Sequence, residues 1–542
     1  MVSSLCAKSA MTGVPSGYDR RSFPVRLTGA ATSPHFPESL ESEMRTQVLS
    51  VTTICVAILS APGIAQDWPM RGRTASRNPV AVVGTPPIDW STGADDQPRR
   101  NVRWTAKLGS VTSGTPVVAN GLVWVGTNNG NAPDAAVLMC FRESDGKLLY
   151  QYVSPRLPDG RNYDWPNGSL ASSPLVEKNR IWFCTNQSKV VCLHIKPLID
   201  GTGDPTLEWE VDMRKEYGVV PRSPMIGNPC SHCSPVGFGD RVYVNTGNSR
   251  QAGKVPAPNA PSMLCLDKRT GKLVWSDNTP GKNIMYAQQG NPTVFGSNGQ
   301  TQVAVGQGDG WIRSFDCEKG TLLWEFNINP PDAEQLSYFG SRRSYVPEAP
   351  VFYKGRLYAI AGTDPESGGW GPGRVVCLDP DKRGDVSSHR LADSGDVVPN
   401  TNSSVVWQHR GIVRNNDWIR SSAATKEEMK QIHQSVGGLA IQRDMVIAPD
   451  IEGFVHCYDA ATGQAYWHYD ALGPSYGSPL IVKNRIYLGL QDAEVHILAL
   501  SKQKRLVAKR LFRSMIEPSP VFANGTLFVA ARNRLHAIRE QE

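Results

Sequence analysis

A short motif that recurs along the chain constrains the fold more than any other feature of the sequence. Each copy begins with a small residue and Pro, or with Gly-Gly, and continues into a short apolar run, a turn and a second β-rich run. The eight copies begin at Thr115, Ser173, Ser234, Asn291, Ala349, Gly437, Ser478 and Ser519. Self-similarity at this length is typical of arrays built from one supersecondary unit. The sequence therefore predicts eight copies of one small β-sheet.

The clearest copies end in a second motif, a turn that begins with Asp and is followed by Trp. This motif occupies residues 267–275, 316–324 and 459–467. The Asp can bond the turn backbone, the Gly supplies a positive φ, and the Trp begins the returning strand. Four-stranded units in radial repetition form a β-propeller. The indoles expected to dock between units belong to Trp104, Trp209, Trp275, Trp324, Trp407 and Trp467.

The two ends of the repeat region complement each other. The last unit has three predicted strands, over residues 521–522, 526–530 and 535–538, while residues 102–105 form a strand ahead of the first unit. Pairing of the two ends would complete the last sheet and remove exposed edges. The predicted fold is all-β, an eight-bladed β-propeller of four-stranded antiparallel blades closed by the N-terminal strand. Residues 66–542 form its single domain.

Residues 44–65 have the pattern of a secretory signal peptide, with a Met-Arg start, an apolar stretch and small residues before the break. Residues 1–43 lack periodicity, so they are either a disordered leader or precede the true start at Met44. We expect export to the periplasm or the extracellular space. The longest apolar run is about a dozen residues, too short for a transmembrane segment.

The charge pattern excludes one class of partner. The 57 basic and 50 acidic residues are spread along the whole chain and give a net charge of +7. A nucleic-acid-binding protein would instead cluster its basic residues on one face or in a tail. We interpret the basic stretch at 502–513 as the solvated face of an outer strand and its turn. We expect a monomer that binds no nucleic acid.

The Asp-x-x-Thr-Gly-x-x-x-Trp segments resemble the tryptophan-docking repeats of the pyrroloquinoline quinone (PQQ)-like propeller superfamily. That superfamily includes quinoprotein alcohol dehydrogenases and the propeller lipoprotein of the outer-membrane assembly machinery. The segments at 67–72, 309–311 and 379–385 are similar to those of exported bacterial members without an assigned activity. The resemblance covers residues 67–542 and implies the fold, but one propeller hosts many activities.

The resemblance also implies what a quinone-dependent member would need. Quinoprotein dehydrogenases carry an adjacent Cys-Cys pair, a Ca²⁺ held by carboxylate and amide side chains, and a catalytic Asp. This sequence has no Cys-Cys dipeptide and no Cys-x-x-Cys-His haem motif. Its chief acidic residues near blade starts are Glu348 and Glu517, and two separate carboxylates are too few for a hard cation. We predict no cofactor and no metal; PQQ with calcium is the alternative.

Nine cysteines follow the signal region, an odd number. Five occupy the same position of different third strands, which indicates buried thiols in a core: Cys140, Cys192, Cys265, Cys377 and Cys457. Cys230 and Cys233 flank His232 just before the third blade. We expect free thiols there, with a disulfide as the alternative in an exported protein. Zinc is the third option, because no second pair has matching spacing.

Residues 411–434 interrupt the sixth blade and contain a predicted short helix at 426–434, with Thr425 as its N-cap. Related proteins have a calcium-binding loop at a similar place. The alternating carboxylates of such a loop are missing here, so we expect no calcium.

The loops that enter the innermost strands of a propeller meet at one mouth of its channel. The polar residues on these loops are Asn167, Arg222, His232, Gln288, Arg342, Arg343, His433, Tyr476 and Glu517. Such a ring suits a protein, a peptide or a saccharide, and no catalytic residue can be assigned. We predict an exported, noncatalytic scaffold or binding protein. A PQQ-dependent oxidoreductase is the alternative, and a hydrolase with an unrecognised site is a third.

Overall fold

The computed structural model describes residues 66–540 with gaps at 95–96, 131–134, 156–168, 222–232, 251–253, 286–287, 330–342, 363–372 and 412–429. Over these ranges the chain is almost entirely β-structure. The exceptions are two short helices and one 3₁₀ turn: α1 (Lys196–Asp200), α2 (Met213–Tyr217) and Gly281–Asn283. No helix in the described ranges is long and apolar enough to cross a membrane.

Two strands, β1 (Val80–Ala81) and β2 (Val102–Lys107), precede the first blade. Blades 1 to 4 are each an antiparallel meander whose innermost strand comes first. Their strands are, for blade 1, β3 (Val117–Ala119), β4 (Leu122–Asn128), β5 (Ala135–Arg142) and β6 (Leu148–Pro155); for blade 2, β7 (Leu175–Glu177), β8 (Arg180–Cys184), β9 (Lys189–His194) and β10 (Thr206–Asp212); for blade 3, β11 (Val236–Phe238), β12 (Arg241–Asn245), β13 (Met263–Asp267) and β14 (Leu273–Asp277); and for blade 4, β15 (Thr293–Ser297), β16 (Gln300–Gly306), β17 (Trp311–Asp316) and β18 (Leu322–Asn327).

The remaining blades keep this order, with one insertion in blade 5. Blade 5 contains β19 (Val351–Tyr353), β20 (Arg356–Ala361) and β21 (Arg374–Leu378), then the inserted β22 (Gly384–Asp385), β23 (His389–Leu391) and β24 (Val397–Pro399), and finally β25 (Val405–Arg410); blade 6 contains β26 (Ala440–Gln442), β27 (Met445–Pro449), β28 (Phe454–Asp459) and β29 (Ala465–Asp470); blade 7 contains β30 (Leu480–Val482), β31 (Arg485–Gly489), β32 (Glu494–Ala499) and β33 (Leu506–Leu511); and blade 8 begins with β34 (Val521–Ala523), β35 (Thr526–Ala531) and β36 (Arg534–Ile538).

Blade 8 is completed from the other end of the chain. The strand β2 pairs antiparallel with β36, and its Trp104 lies opposite Ala537. This pairing closes the ring and confirms the predicted eight-bladed propeller with its N-terminal closing strand. The strand β2 thus supplies the outer strand of blade 8 and covers the edge of β36.

The insertion in blade 5 adds a fifth strand to blade 4. Its strand β22 pairs in parallel with β18, the outer strand of blade 4, through Trp324 and Gly384. The exposed β23–β24 hairpin follows it. The predicted insertion at 411–434 lies between β25 and β26, and most of it, including the predicted helix start, is outside the described residues.

Burial follows the position of a strand in its blade. Second and third strands are buried on both faces, whereas outer strands alternate between exposed and buried residues. The repeat cysteines lie in third strands between these faces, and all eight described cysteines are buried free thiols. Burial raises the pKa of these repeat thiols, for example to about 12 at Cys265 and Cys457. They therefore act as small core side chains.

Indoles from outer strands dock on the turn between the third and fourth strands of the next blade. Each donates its Nε1–H to a backbone carbonyl of that turn at 2.8 to 3.0 Å. The pairs are Trp104–Glu143, Trp209–Lys268, Trp275–Cys317, Trp407–Ala460 and Trp467–Ser501. Trp324 differs, because it donates to the Gln302 side chain of its own blade.

The Gly of the turn is required by the indole above it. Gly271 has φ +71°, and a Cβ there would lie 2.7 Å from the Trp209 ring. We expect Gly271→Ala to lower the free energy of unfolding by about 1–3 kcal/mol more than Gly239→Ala, because of this overlap. Gly239 also has a positive φ but no atom within 4 Å of its added Cβ. Chemical denaturation of the two variants measures the difference, and equal losses would contradict the docking role.

Candidate functional site

The channel between the blades is crossed by residues 66–83, here called the plug. The plug hydrogen-bonds, at 2.6 to 3.3 Å, to the first strand of every blade or to the residues that enter or leave it. From blade 1 to blade 8 these connections are Trp68–Val118, Pro69–Val176, Arg77–Ser234, Ala75–Val294, Ser76–Phe352, Asn78–Ile441, Pro79–Ile481 and Gln66–Asn524. Because inner strands surround the propeller axis, a segment bonded to all eight lies across the channel.

A tight loop in the plug explains its Trp-Pro-Met-Arg-Gly sequence. Trp68 is 1% exposed and pairs with Val118 in blade 1. Gly72 has φ +69°, and a Cβ there would lie 2.7 Å from the backbone of Arg77. The loop therefore needs Gly at this position. It closes with hydrogen bonds from Arg73 N to Met70 O and from Arg77 N to Thr74 O, both at 2.9 Å.

The loop carries Arg71 to a buried carboxylate in the channel. The guanidinium of Arg71 pairs with both carboxylate oxygens of Glu348, at 3.0 Å for the Nε contact, and its Nη1 donates to Thr115 Oγ1. The same carboxylate accepts from Asn291 Nδ2 at 2.8 Å and from Ala349 N at 2.9 Å. Burial alone would raise the pKa of Glu348, but Arg71 and these donors hold it below its usual value.

A second plug arginine fixes the loop to blades 3 and 4. Arg77 is 3% exposed and donates to the carbonyls of Pro292, Arg71 and Ser234 at 2.6 to 2.9 Å. Burial lowers the pKa of Arg77 to about 10, although Cys233 and Glu348 favour its charge. If these carbonyl groups moved away, the buried N–H groups of Arg77 would be left unpaired, which is costly. Arg77 therefore holds the loop and blades 3 and 4 in one arrangement.

A cavity of about 150 Å³ adjoins Arg71 and Glu348. Residues from the loops that enter the inner strands complete its wall: Ser113, Ala171, Gln289, Asn291, Tyr345, Pro347, Val436, Tyr476, Glu517 and Pro518. Burial raises the pKa of Glu517, a shift that Arg532 and Ser113 partly oppose. The cavity thus presents one carboxylate neutralised by Arg71 and one carboxyl group that favours its protonated form more than a free glutamate does.

Five of the nine residues predicted for the channel mouth are described. Tyr476 and Glu517 line this same cavity. Gln288 is buried and accepts from Gly308 N, while Arg343 is buried and donates to Asp309 O. His433 is buried on Asp450 in blade 6.

The other four predicted residues, and one cysteine discussed with them, lie outside the described ranges: Asn167, Arg222, His232, Arg342 and Cys230. The prediction of a binding ring from all nine therefore stays a prediction. Arg71 and Asn291 also belong to the site and were not predicted as site residues. Arg71 lies inside the 67–72 motif, which was the available signal, but nothing local linked that motif to Glu348.

Blade 6 holds a chain of buried ionisable side chains. Asp450 Oδ2 accepts from His433 Nδ1 at 2.8 Å and lies 3.2 Å from His456 Nε2. The Nδ1 atoms of His456 and His468 lie 2.7 Å apart. Burial alone would raise the pKa of Asp450, yet the two histidines lower it to about 2. Within the described residues, no three His, Cys, Asp or Glu side chains are arranged to hold a metal ion.

This network of ionisable side chains makes the stability of the protein depend on pH. Burial lowers the pKa of His456, and burial together with His456 lowers the pKa of His468 to about 4 from 6.5. Below pH 6.5 the unfolded chain binds protons that the folded chain excludes, so stability falls between pH 6.5 and 4. We expect His468→Gln to reduce this fall in melting temperature, whereas His389→Gln, at an exposed histidine, leaves it unchanged. Melting curves at stepped pH test this; an unchanged profile for His468→Gln would contradict it.

Comparison with known proteins places the chain in a family. A family model described as outer membrane protein assembly factor BamB matches residues 204–379 and 371–541, more than half of the chain. The chain belongs to this BamB-type family of PQQ-like propellers. The BamB-type match runs from β10, the outer strand of blade 2, to β36 in blade 8, and the plug lies outside it.

Curated relatives of this BamB-type propeller fall into two groups. BamB of Kangiella koreensis is 26% identical over 198 residues, which are 36% of this chain and 47% of that protein. The dehydrogenase subunit of the quinone alcohol dehydrogenase of Gluconobacter oxydans is 28% identical over 177 residues, 30% of this chain and 20% of that subunit. The matches therefore span less than half of the length of either relative.

Solved structures show the same fold at low identity. A europium-containing methanol dehydrogenase aligns with a TM-score of 0.55 and 12% identity, covering 86% of this chain and 89% of that one. The quinohemoprotein alcohol dehydrogenase of Comamonas testosteroni aligns with a TM-score of 0.54 and 12% identity, covering 88% and 81%. These likenesses concern the fold alone.

PQQ with a cation does not fit the described residues of this BamB-type channel. A cation at Glu348 would have to displace the Arg71 guanidinium, which binds both carboxylate oxygens. Because a quinone carbonyl is activated by such a cation, this site does not provide that chemistry.

Proposed function

We propose that this BamB-type propeller is an exported, noncatalytic binding scaffold. The observation that supports this most is the plug, which bonds to all eight blades and places Arg71 on Glu348. Because the protein's own chain fills the channel, the outer surface of the propeller and the cavity at the channel mouth are the places where a partner can bind. Because the plug is hydrogen-bonded to every blade, the end of the propeller that carries the mouth cavity is a rigid binding surface.

The mouth cavity suits one side chain of a protein or peptide partner. Tyr476 offers a ring with a hydroxyl, and Gln289 offers an amide. Tyrosine is enriched where one end of a side chain is buried and the other is polar, as at protein interfaces. The raised pKa of Glu517 means that its carboxyl group can donate as well as accept a hydrogen bond near neutral pH more readily than a free one.

A photo-crosslinking experiment tests the binding role. A benzophenone amino acid replaces Tyr476 in one variant and Phe238 in another, and both proteins are irradiated in their own cells. Phe238 is exposed at the other end of an inner strand, so it is the matched control. We expect a discrete protein adduct from position 476 and none from position 238. Absence of an adduct at 476, or equal adducts at both, would overturn the proposal.

The alternative, a PQQ-dependent oxidoreductase, rests on the matches to quinone alcohol dehydrogenases. It predicts tight binding of PQQ with Ca²⁺ and alcohol-dependent dye reduction. We expect neither from calorimetry and dye assays of the reconstituted protein, because Arg71 already occupies the carboxylate. Turnover in this assay would make the oxidoreductase the leading function.

A further inference from the structure

Two cysteines from neighbouring blades meet beside the plug. Cys184 ends β8 in blade 2, and Cys233 lies just before β11 in blade 3; they are 0% and 2% exposed. The Cys184 thiol is a hydrogen-bond partner of the Cys233 thiol. The repeat cysteines instead occupy equivalent third-strand positions of different blades.

One hydroxyl group fixes the backbones of the two cysteines. Ser172 Oγ donates to Cys233 O at 2.8 Å and accepts from Cys184 N at 3.1 Å. Two backbone atoms bonded to the same oxygen lie within about 6 Å of each other, so the two cysteines are neighbours across the boundary between blades 2 and 3. The contact between the thiols and this shared anchor place the pair where a small local adjustment can reach the geometry of a disulfide.

The surroundings of Cys233 favour its thiolate. Its Sγ accepts from Asn245 N at 3.1 Å, and the buried guanidinium of Arg77 lies nearby. Burial raises the pKa of Cys233, but Cys184, the Asn245 amide and Arg77 together bring it below its usual value. The thiolate is the nucleophile in disulfide exchange, so Cys233 is the attacking group.

We propose that Cys184 and Cys233 form a disulfide that joins blade 2 to blade 3. The Cys233 thiolate attacks one sulfur of a small disulfide of the glutathione type, which gives a mixed disulfide and releases one thiol. The Cys184 thiol then loses its proton and attacks Cys233 Sγ, which releases the second thiol. Two protein thiols are oxidised and one donor disulfide is reduced to two thiols. Because both sulfurs are buried in the folded protein, the exchange needs a local opening between blades 2 and 3.

The test is peptide mapping of the refolded full chain. The protein is refolded in buffers of reduced and oxidised glutathione, its free thiols are alkylated in denaturant, and it is digested without reduction. We expect a linked peptide pair containing Cys184 and Cys233, lighter than the two thiol peptides by two hydrogens. A Cys230–Cys233 link, or alkylation of both Cys184 and Cys233 under every oxidising buffer, would overturn the proposal.

Thermal melting supplies a second readout with a matched control. The oxidised protein should melt a few degrees above its reduced form, because a cross-link restricts the unfolded chain. This difference should vanish in Cys184→Ser and persist in Cys192→Ser, at a cysteine equally buried in the same blade. A redox-dependent shift that survives Cys184→Ser would contradict the assigned pair. The mapping of the unmodified chain decides the matter even if a variant fails to fold.

Discussion

Deleting residues 66–83 should lower the melting temperature by about 10 °C or more, or leave the protein insoluble. The deletion removes a bond to each of the eight blades, and each such hydrogen bond contributes about 1 kcal/mol. It also removes the buried Trp68 ring, whose burial is worth roughly a few kcal/mol. The Glu348 carboxylate would lose the Arg71 partner that keeps it ionised in the channel.

The control for this deletion is removal of a segment that packs little. Residues 390–396 form the tip of the exposed β23–β24 hairpin and make no bond to an inner strand within the described structure. Their removal should leave the melting temperature within about 1 °C, as for surface changes in general. Calorimetry of both proteins compares the two. Melting of the plug deletion at the temperature of the full chain would show that the blades do not depend on the plug.

The propeller itself was predictable from the sequence, because its signals are local. Each Asp-initiated turn carries its own bonding side chain, its own Gly and its own Trp within about nine residues. The closing strand was predictable for a different reason. A three-stranded last unit and an unpaired strand containing Trp104 complement each other in number, so the pairing follows from counting strands.

The plug was not predictable in this way. Residues 66–83 have no hydrophobic period, and their partners lie as far along the chain as Ile441 and Asn524. The burial of the residues at the channel mouth could not be predicted from the sequence for the same reason. Tyr476 and Glu517 lie on loops that enter inner strands and line one cavity, whereas the burial of Gln288 depends on packing between loops of different blades. Contacts of this kind are set by the assembled ring.

A change at the centre of the channel should have the second large effect. Glu348→Ala should lower the free energy of unfolding by about 3–5 kcal/mol, because it leaves a buried guanidinium without its carboxylate. Denaturant unfolding measures this loss. Asp444→Asn, which removes one charge of the exposed pair between Asp444 and Lys354, should cost much less, because exposed ion pairs contribute little to stability.

The double variant Arg71→Met with Glu348→Met separates the charge from the packing. If the loss in Glu348→Ala comes from the unpaired guanidinium, removing both charges should restore part of the stability, because apolar side chains of similar volume replace a buried ion pair at little cost. If the double variant is instead as unstable as the sum of its single variants, the two side chains act independently. The plug would then be held by its other hydrogen bonds to the eight blades, and Arg71 would be free to serve a ligand in the mouth cavity.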